Sequence, residues 1–293
     1  MPPEVLYFAP GSGLGHITRA LALCLELRDL GIAPSIVTNS PFAEPLARLA
    51  RIPVTHIATA GWAVDAPRLL AERAPKAAVI DTFPNGIRGE WTARPATSLV
   101  HIARRLRLDS YAPHADGGRA WRGFVLSIAI ESLAPEHTAL LQPPLVILPG
   151  LIRLRPLRIE TPVPQDLGNL VNHGAALIIH GGPLEEVEQL LAFARETMHA
   201  NTPLAAVTPW RLSGDIPSFD YFPAANLIDR ARHVFTGAGY NSVADTMHIR
   251  SRHTAIAFPR RFDDQAARLA SLPPVCADAT REAAMAIAQC VIE

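Results

Sequence analysis

The stretch VLYFAPGSGLGHITRALALCLELRDLG, residues 5–31, decides the fold. It opens with a short apolar run at Val5–Ala9, which predicts a buried strand, and continues through a glycine-rich turn at residues 11–15. A helical apolar pattern then covers about Ile17–Leu30, and Gly31 stands where a C-terminal helix cap belongs. Strand, glycine turn and helix in this order predict the first βα unit of a parallel sheet.

The same alternation continues along the chain and predicts two α/β domains. The further strands predicted in the first half are Ser35–Thr38, Val54–Ala58, Ala77–Asp81, Ser98–Ile102, Val125–Ala129 and Leu145–Leu148. Those in the second half are Ala175–His180, Leu204–Val207, His233–Thr236 and Thr254–Phe258, with helices at about Pro183–His199 and Thr280–Val291. A stretch rich in proline and arginine near Pro149–Asp166 predicts the linker. We therefore predict two Rossmann-like, doubly wound domains, residues 1–155 and 156–293, facing across a cleft, with the C-terminal helix crossing back.

Composition excludes several classes of protein. The chain of 293 residues is 49% hydrophobic and has zero formal net charge, which excludes disorder and gives no field to attract nucleic acid. The three cysteines, Cys24, Cys276 and Cys290, form no CxxC pair, which excludes a disulfide scaffold and a thiolate zinc site. Lys76 is the only lysine, so chemistry that needs a placed ammonium is excluded. We predict a cytoplasmic protein with no metal, no cofactor and no nucleic-acid partner.

The glycine turn ends in a histidine. A dinucleotide fingerprint requires glycine at position 16 and a P-loop requires lysine, but His16 stands there. Gly13 and Gly15 predict close approach of a ligand to the free N–H groups of a helix N-terminus. The helix dipole disfavours a cation, so it favours the neutral imidazole that a general base needs. A histidine that only caps the helix or forms a hydrogen bond is the alternative.

Asp81 ends a predicted strand, and the carboxyl ends of the strands in a doubly wound sheet form the binding crevice. We predict that its carboxylate accepts the ring N–H of His16 and fixes the tautomer. An ordinary turn aspartate that bonds its own backbone is the alternative.

A second glycine turn, Gly237-Ala238-Gly239-Tyr240-Asn241-Ser242, joins a predicted strand to a helix in the second half. Its amides suit a diphosphate group without lysine or metal. Ser242 and Asp245 have the spacing of a capping box, so capping is the alternative to ligand binding.

Residues 11–23, GSGLGHITRALAL, resemble the opening of GT-B-fold sugar-nucleotide enzymes, in particular family 28 glycosyltransferases such as the peptidoglycan N-acetylglucosaminyltransferases, and predicted glycosyltransferases near them. They are also similar to the UDP-sugar hydrolases of nonulosonate biosynthesis, whose loop histidine is followed three residues on by an arginine, here Arg19. The resemblance implies that His16 activates an acceptor or water. The segment Asp81–Glu90 is similar to one in the predicted transferases, without an implied role.

The second half carries further likeness to family 28. Gly239-x-x-Ser242-Val243-x-Asp245 matches a family pattern whose final glutamate binds ribose hydroxyls, although Asp245 is one methylene shorter. The segment Phe258–Gln265 resembles a segment of GT-B transferases whose last two residues, Asp-Gln or Gln-Gln, bind hydroxyl groups of the donor sugar. The alternative is a helix N-terminus with acidic residues in its first turn. His180-Gly181-Gly182 resembles a Gly-Gly-Ser turn beside the donor, or is a plain αβ turn. The substrate-binding residues implied are Gly13, Gly15, Arg19, Gly182, Gly237, Gly239, Tyr240, Asn241, Ser242, Asp245, Asp264 and Gln265.

The resemblance implies an enzyme that moves a sugar from a UDP-sugar donor to a hydroxyl acceptor without a metal. A UDP-sugar hydrolase or epimerase on the same fold is the alternative, favoured by the short chain, and a nucleotide-binding protein without turnover is a second one. Six arginines suggest phosphate or lipid headgroup contact, and so at most a peripheral membrane contact, or else a solvated face. They are Arg104, Arg105, Arg107, Arg153, Arg155 and Arg158.

Overall fold

The computed structural model describes residues 2–11, 13–93, 95–154, 161–272 and 277–292. The chain forms two compact units. Unit 1 comprises Met1–Leu154, Arg260–Asp264 and Cys276–Glu293, and unit 2 comprises Arg155–Pro259 and Gln265–Val275. Arg155, Arg158 and Cys276 lie outside the described residues, and the predicted boundary at residue 155 stays a prediction.

Unit 1 is built around a parallel sheet of seven strands. They are β1 (Glu4–Ala9), β2 (Ala33–Thr38), β3 (Val54–His56), β4 (Ala77–Asp81), β5 (Ser98–Ala103), β6 (Leu126–Ala129) and β7 (Leu145–Ile147), in the order β3-β2-β1-β4-β5-β6-β7. Its helices are α1 (Leu14–Asp29), α2 (Ala43–Ala50), α3 (Trp62–Arg73), α4 (Leu108–Tyr111) and α5 (Pro135–Leu140). The strand order reverses between β1 and β4, and ligands of doubly wound sheets bind at the carboxyl ends of such a pair.

Unit 2 repeats the arrangement on a smaller scale. After β8 (Gly150–Leu151) come α6 (Gln165–Asn172), β9 (Ala176–Ile179), α7 (Leu184–Thr197), β10 (Leu204–Val207), β11 (Ser218–Phe219), α8 (Ala225–Ile228), β12 (Val234–Gly237), α9 (Tyr240–Thr246), β13 (His253–Ile256) and α10 (Gln265–Ala270). The parallel sheet has the order β11-β10-β9-β12-β13, so its strand order reverses between β9 and β12.

The C-terminal segment belongs to unit 1. β14 (Ala277–Asp278) pairs in parallel with β8, and α11 (Thr280–Ile292) packs on α1. A side chain on Gly150 would overlap the carbonyl oxygen of Ala277, so this pairing requires glycine. Because α11 covers the face of α1 that the sheet does not, α1 is buried on all sides from Ile17 to Leu27.

These elements confirm the α/β class with two doubly wound parallel sheets. Every strand predicted from the sequence is present, with ends that differ by at most two residues. The short strands β8, β11 and β14 were not predicted. None of the described helices is long and apolar enough to cross a lipid bilayer. The cytoplasmic location and the peripheral membrane contact stay predictions.

Candidate active site at the carboxyl ends of β1 and β4

The turn after β1 sets His16 in the first turn of α1. The helix begins at Leu14, three residues earlier than predicted, with Gly13 in extended conformation as the N-cap. Gly11 has a φ of +144°, and its N–H donates to Asn39 Oδ1 at 2.7 Å. A Cβ on Gly11 would lie 2.9 Å from His16 Cδ2. Glycine at position 11 therefore lets the loop pass close to the imidazole.

His16 and Asp81 are hydrogen-bonded across the strand pair. His16 Nδ1 lies 2.9 Å from Oδ2 of Asp81, the last residue of β4. The histidine side chain is 18% exposed and the aspartate is fully buried. A carboxylate only accepts, so Nδ1 carries the proton and Nε2 keeps its lone pair. The predicted hydrogen bond is thus present, and the catalytic role of both residues stays a proposal.

Arg19 holds the other side of the same carboxylate. Its Nε donates to Asp81 Oδ1 at 3.0 Å, and its Nη2 donates to Oδ1 and Oδ2 at 2.8 and 2.7 Å. Arg19 is only 2% exposed, so its guanidinium acts through Asp81 and offers little surface to a substrate. The substrate contact predicted for Arg19 stays a prediction. His16 and Arg19 are three residues apart, and residues at that spacing share one face of a helix.

The charges favour a neutral imidazole beside an ionised carboxylate. Burial acts to raise the pKa of Asp81, but the Arg19 guanidinium and the hydrogen-bonded His16 outweigh it and lower that pKa to about 2. Burial lowers the pKa of His16, with smaller contributions from Arg19 and Arg104, although Asp81 acts in the opposite direction. At neutral pH this arrangement leaves Nε2 unprotonated, which is the form that a general base requires.

Thr82, directly after Asp81, has a strained backbone. Its φ is +69°, a value that β-branched residues rarely adopt, and the residue is fully buried. Its N–H donates to Ile102 O at 3.0 Å, its hydroxyl donates to Asp81 Oδ1 at 3.1 Å, and its carbonyl accepts from His101 Nε2 at 3.2 Å. Such strain persists where the surroundings impose it, which is common at functional sites.

An aromatic cluster of unit 1 flanks the imidazole. The rings of His16 and Phe83 are 5.8 Å apart, and Phe262 packs edge-on against Phe83 at 5.5 Å. Beside Phe262, Asp263 forms an ion pair with Arg104 at 3.5 Å. Residues 260–264, which the sequence assigned to donor binding in the second domain, are thus part of unit 1 and adjoin its candidate site.

In unit 2, the second glycine turn leads into α9 as predicted. Gly239 is the N-cap, and the space where its Cβ would stand is open, as it is at Gly13 and Gly15. The helix begins at Tyr240, so Ser242 lies inside it and the capping-box alternative is wrong. Tyr240 is buried, whereas Asn241, Ser242 and Asp245 are half-buried.

Gln265 and Asp264 fall in different units, although they are consecutive. Gln265 is buried at the first position of α10, and its Oε1 accepts the N–H of Phe258 at 3.0 Å. This oxygen therefore holds its own loop, and the predicted contact of Gln265 with a sugar hydroxyl stays a prediction. Asp263 and Asp264 precede α10 and are outside its first turn, so the alternative of a helix with acids in its first turn is also wrong.

Gly182 and Gly237 have a steric explanation. A Cβ on either glycine would overlap or crowd the imidazole of His180, whose Nε2 lies 2.7 Å from Glu186 Oε2. The sequence analysis missed this histidine–glutamate pair. In the sequence, the pair is indicated only by the positions of His180 and Glu186 on either side of the predicted Gly-Gly turn.

Three of the six arginines that the sequence suggested for phosphate or lipid contact make contacts within unit 1. Arg104 pairs with Asp263, Arg105 donates from Nη2 to Ser132 O at 2.7 Å, and Arg107 lies 3.7 Å from Asp109. The side chain of Arg104 is 11% exposed and so does not belong to a solvated face. Among the residues that the structure describes, no three His, Cys, Asp or Glu side chains are grouped so that they could hold a metal.

No family model and no curated protein matches the chain. Several solved structures do match the chain, as follows. The chain is 13% identical to the Streptomyces sp. SF2575 glycosyltransferase SsfS6 complexed with thymidine diphosphate, with a TM-score of 0.58 over 88% of this chain and 82% of that one. It is 10% identical to S. aureus MnaA with UDP, with a TM-score of 0.61 over 99% and 88%. It is 14% identical to a Listeria monocytogenes protein assigned as a UDP-N-acetylglucosamine 2-epimerase, with a TM-score of 0.55 over 82% and 75%.

The chain therefore has the GT-B fold. The solved structures that share it are mostly glycosyltransferases, with an epimerase among them. At these identities the likeness establishes the fold, and the activity has to be argued from the sites.

Proposed function

We propose that the protein is a glycosyltransferase that moves a sugar from a UDP-sugar to a hydroxyl acceptor. The observation that carries the proposal is the His16–Asp81 hydrogen bond at 2.9 Å, which leaves a neutral Nε2 at the carboxyl edge of the sheet of unit 1. The GT-B fold and the nucleotides bound by SsfS6 and MnaA support the donor class. A neutral imidazole can remove the proton of a hydroxyl group, which supports a hydroxyl acceptor.

In the proposed reaction, His16 Nε2 removes the proton of the acceptor hydroxyl. The acceptor oxygen forms a bond to the anomeric carbon of the sugar, while the bond from that carbon to the phosphate oxygen breaks and its electron pair leaves with the diphosphate. Asp81 stabilises the imidazolium that forms, and Arg19 keeps the carboxylate ionised and in position. The backbone amides at Tyr240–Ser242 are proposed to stabilise the leaving diphosphate.

His16→Ala tests the base. A positioned general base typically contributes about 10²–10⁴-fold, so we expect turnover to fall by that order while affinity for UDP changes little. His56→Ala, at an exposed histidine of unit 1, is the matched control and is expected to leave both unchanged. Loss of UDP affinity together with turnover would make His16 a binding or structural residue and refute the proposed role.

Hydrolysis or epimerisation of a UDP-sugar is the second candidate, favoured by the shared fold with the epimerase. In hydrolysis, His16 would activate water in place of the acceptor hydroxyl. Incubation of UDP-sugars without acceptor separates these activities, since rapid UDP release indicates hydrolysis and a new sugar isomer indicates epimerisation. Thermal stabilisation by UDP without any product would indicate a nucleotide-binding protein.

A further inference from the structure

The chain makes a tight turn directly after β4. The N–H of Phe83 donates to the carbonyl oxygen of Asp81, two residues back, at 2.8 Å, and the residue between them, Thr82, has a φ of +69°. These are the features of a γ-turn with positive φ, which is rare and strained. The strain is larger for threonine than for glycine because threonine is β-branched. The turn therefore persists because its surroundings hold it.

This turn supplies two neighbours of the His16 imidazole. Asp81 precedes Thr82, and its carboxylate accepts a hydrogen bond from His16 Nδ1 at 2.9 Å. Phe83 follows Thr82, and its ring centroid lies 5.8 Å from that of His16. Because Asp81 and Phe83 are joined through a single residue, the backbone conformation of Thr82 sets the direction of the carboxylate relative to the phenyl ring. A relaxed φ at Thr82 would redirect one or both of them away from His16.

A buried histidine on the neighbouring strand bonds to the turn. His101 of β5 is fully buried, and its Nε2 lies 3.2 Å from the carbonyl oxygen of Thr82. A carbonyl oxygen only accepts, so Nε2 carries the proton. The ring stacks on Phe124, with centroids 5.0 Å apart. The N–H of Thr82 donates to Ile102 O at 3.0 Å, so β5 holds both the N–H and the carbonyl group of Thr82.

His101 acts from the face of the sheet opposite to Asp81. It is paired in register with Ile80, and successive side chains of a strand point to opposite faces. Asp81, the next residue of β4, therefore points to the other face, where it bonds to His16. The backbone of Thr82 thus connects a histidine on one face of the sheet with a histidine on the other.

We propose that His101 is a positioning residue of the candidate active site, which holds the strained turn at Thr82 and so aims the Asp81 carboxylate at His16. The inference rests on the proposed function, in which His16 Nε2 is the base, and it adds a residue that acts through the backbone of Thr82. A relaxed turn would let the His16 ring rotate and exchange tautomers, so that Nε2 keeps its lone pair only part of the time.

Heteronuclear NMR of the His16 imidazole nitrogens measures this positioning without depending on turnover. His101→Phe keeps a ring that stacks on Phe124 but removes the N–H that holds Thr82. In the wild type at neutral pH, Nδ1 of His16 should resonate as a protonated nitrogen and Nε2 as an unprotonated one. In His101→Phe we expect the two signals to move toward each other. We also expect kcat to fall roughly 10- to 100-fold, with KM for the UDP-sugar changed less than about twofold.

His101→Gln is the rescue variant, because a glutamine side chain can place an amide N–H where the imidazole has its Nε2–H. We expect wild-type His16 signals and a kcat within about threefold of wild type. His137→Leu, at another buried histidine of unit 1, is the matched control and should change neither measurement. Glycine adopts a positive φ without strain, so His101→Phe should lower kcat less in a Thr82→Gly background than in the wild type.

The outcomes separate the inference from the proposed function. If His101→Phe leaves the His16 signals unchanged, or His101→Gln restores nothing, the histidine is structural and the inference is overturned. An equal loss of kcat from His101→Phe in the Thr82→Gly background, or an unprotonated His101 Nε2 in the wild type at neutral pH, would overturn it as well.

If the His16 signals move as expected but the wild type turns over no UDP-sugar, the positioning role stands and the proposed function falls. If sugar is transferred and His101→Phe changes neither kcat nor the signals, the inference falls alone. Should His101→Phe not fold, as judged by circular dichroism, His101→Asn replaces it in the comparison with His101→Gln, because the shorter amide does not reach the Thr82 carbonyl.

Discussion

Asp81→Asn removes the charge on which the candidate site of unit 1 is organised. The carboxylate is fully buried and accepts hydrogen bonds from both His16 and Arg19, and Arg19 is itself buried. The amide that replaces it is neutral and turns a donor group toward one of these donors. The variant therefore leaves a buried guanidinium without its counter-charge.

The cost of this change is large and depends on pH. Removing one partner of a buried ion pair typically costs about 3–5 kcal/mol, which we expect as the loss in the free energy of unfolding at pH 7. The pKa of Asp81 is lowered to about 2 in the folded protein, compared with about 3.9 in an unfolded chain. Because the folded pKa is depressed, this stabilisation is complete above about pH 4 and is lost as pH falls through about 2. The difference between wild type and variant should therefore shrink by roughly 2–3 kcal/mol over that window.

Urea unfolding followed by tryptophan fluorescence measures the effect in unit 1. Trp210 is in unit 2 and is replaced by Phe in both proteins, which leaves the three tryptophans of unit 1, Trp62, Trp91 and Trp121, as the reporters. Asp65→Asn is the control, because its ion pair with Arg68 is exposed and is worth at most about 1 kcal/mol. A cost for Asp81→Asn below about 1 kcal/mol, or a cost that does not change between pH 5 and pH 2, would refute the reasoning.

Three further perturbations test other parts of unit 1. Since burial lowers the pKa of His16, kcat/KM should fall on acidification with a midpoint below about 6.5, and a higher midpoint in the pH–rate profile would contradict this. In Gly86→Ala the new Cβ would overlap Glu90 Oε2 at a residue whose φ is +75°, so the free energy of unfolding should fall by about 2 kcal/mol or more. In the control Gly13→Ala the new Cβ enters open space, and the free energy of unfolding should fall by less than about 1 kcal/mol. Equal losses for the two variants in urea unfolding would disprove the steric argument. Both ring nitrogens of His137 are buried, and neither has a hydrogen-bond partner among the residues that the structure describes. Burial lowers the pKa of His137 to about 4, so His137→Leu should be at least as stable as wild type at pH 7 and gain an advantage as pH falls from about 6.5 to 4. A loss above about 1 kcal/mol at pH 7 would count against this explanation.

Sequence patterns predicted the sheets well because of how parallel strands are buried. Val5–Ala9 is buried on both faces, so its signal is a continuous apolar run rather than an alternation. The meeting of His16 and Asp81 was predictable for a related reason, since one residue follows β1, the other ends β4, and carboxyl ends of parallel strands converge at one edge.

Long-range arrangements were not predictable in this way. The two-residue strands β8 and β14 are too short for any periodicity, and they pair residues that are more than a hundred positions apart in the chain. Phe262 joins the aromatic cluster of unit 1, although the chain up to Pro259 and again from Gln265 belongs to unit 2. The burial of Arg19 was partly predictable, because its spacing from His16 puts both side chains on one helical face.

The pairing of β8 with β14 and the packing of α11 on α1 have a consequence for biosynthesis. The ribosome synthesises the chain up to residue 154 first, yet one side of α1 and one edge of β8 find their partners only in residues 277–292, after the whole of unit 2 has emerged. During translation, apolar surface of the N-terminal half therefore stays exposed to solvent, and chaperones bind such surface. Nascent chains arrested before residue 277 should be far more sensitive to protease than the released protein, and a stop codon there should abolish accumulation in cells even though His16 and Asp81 are present.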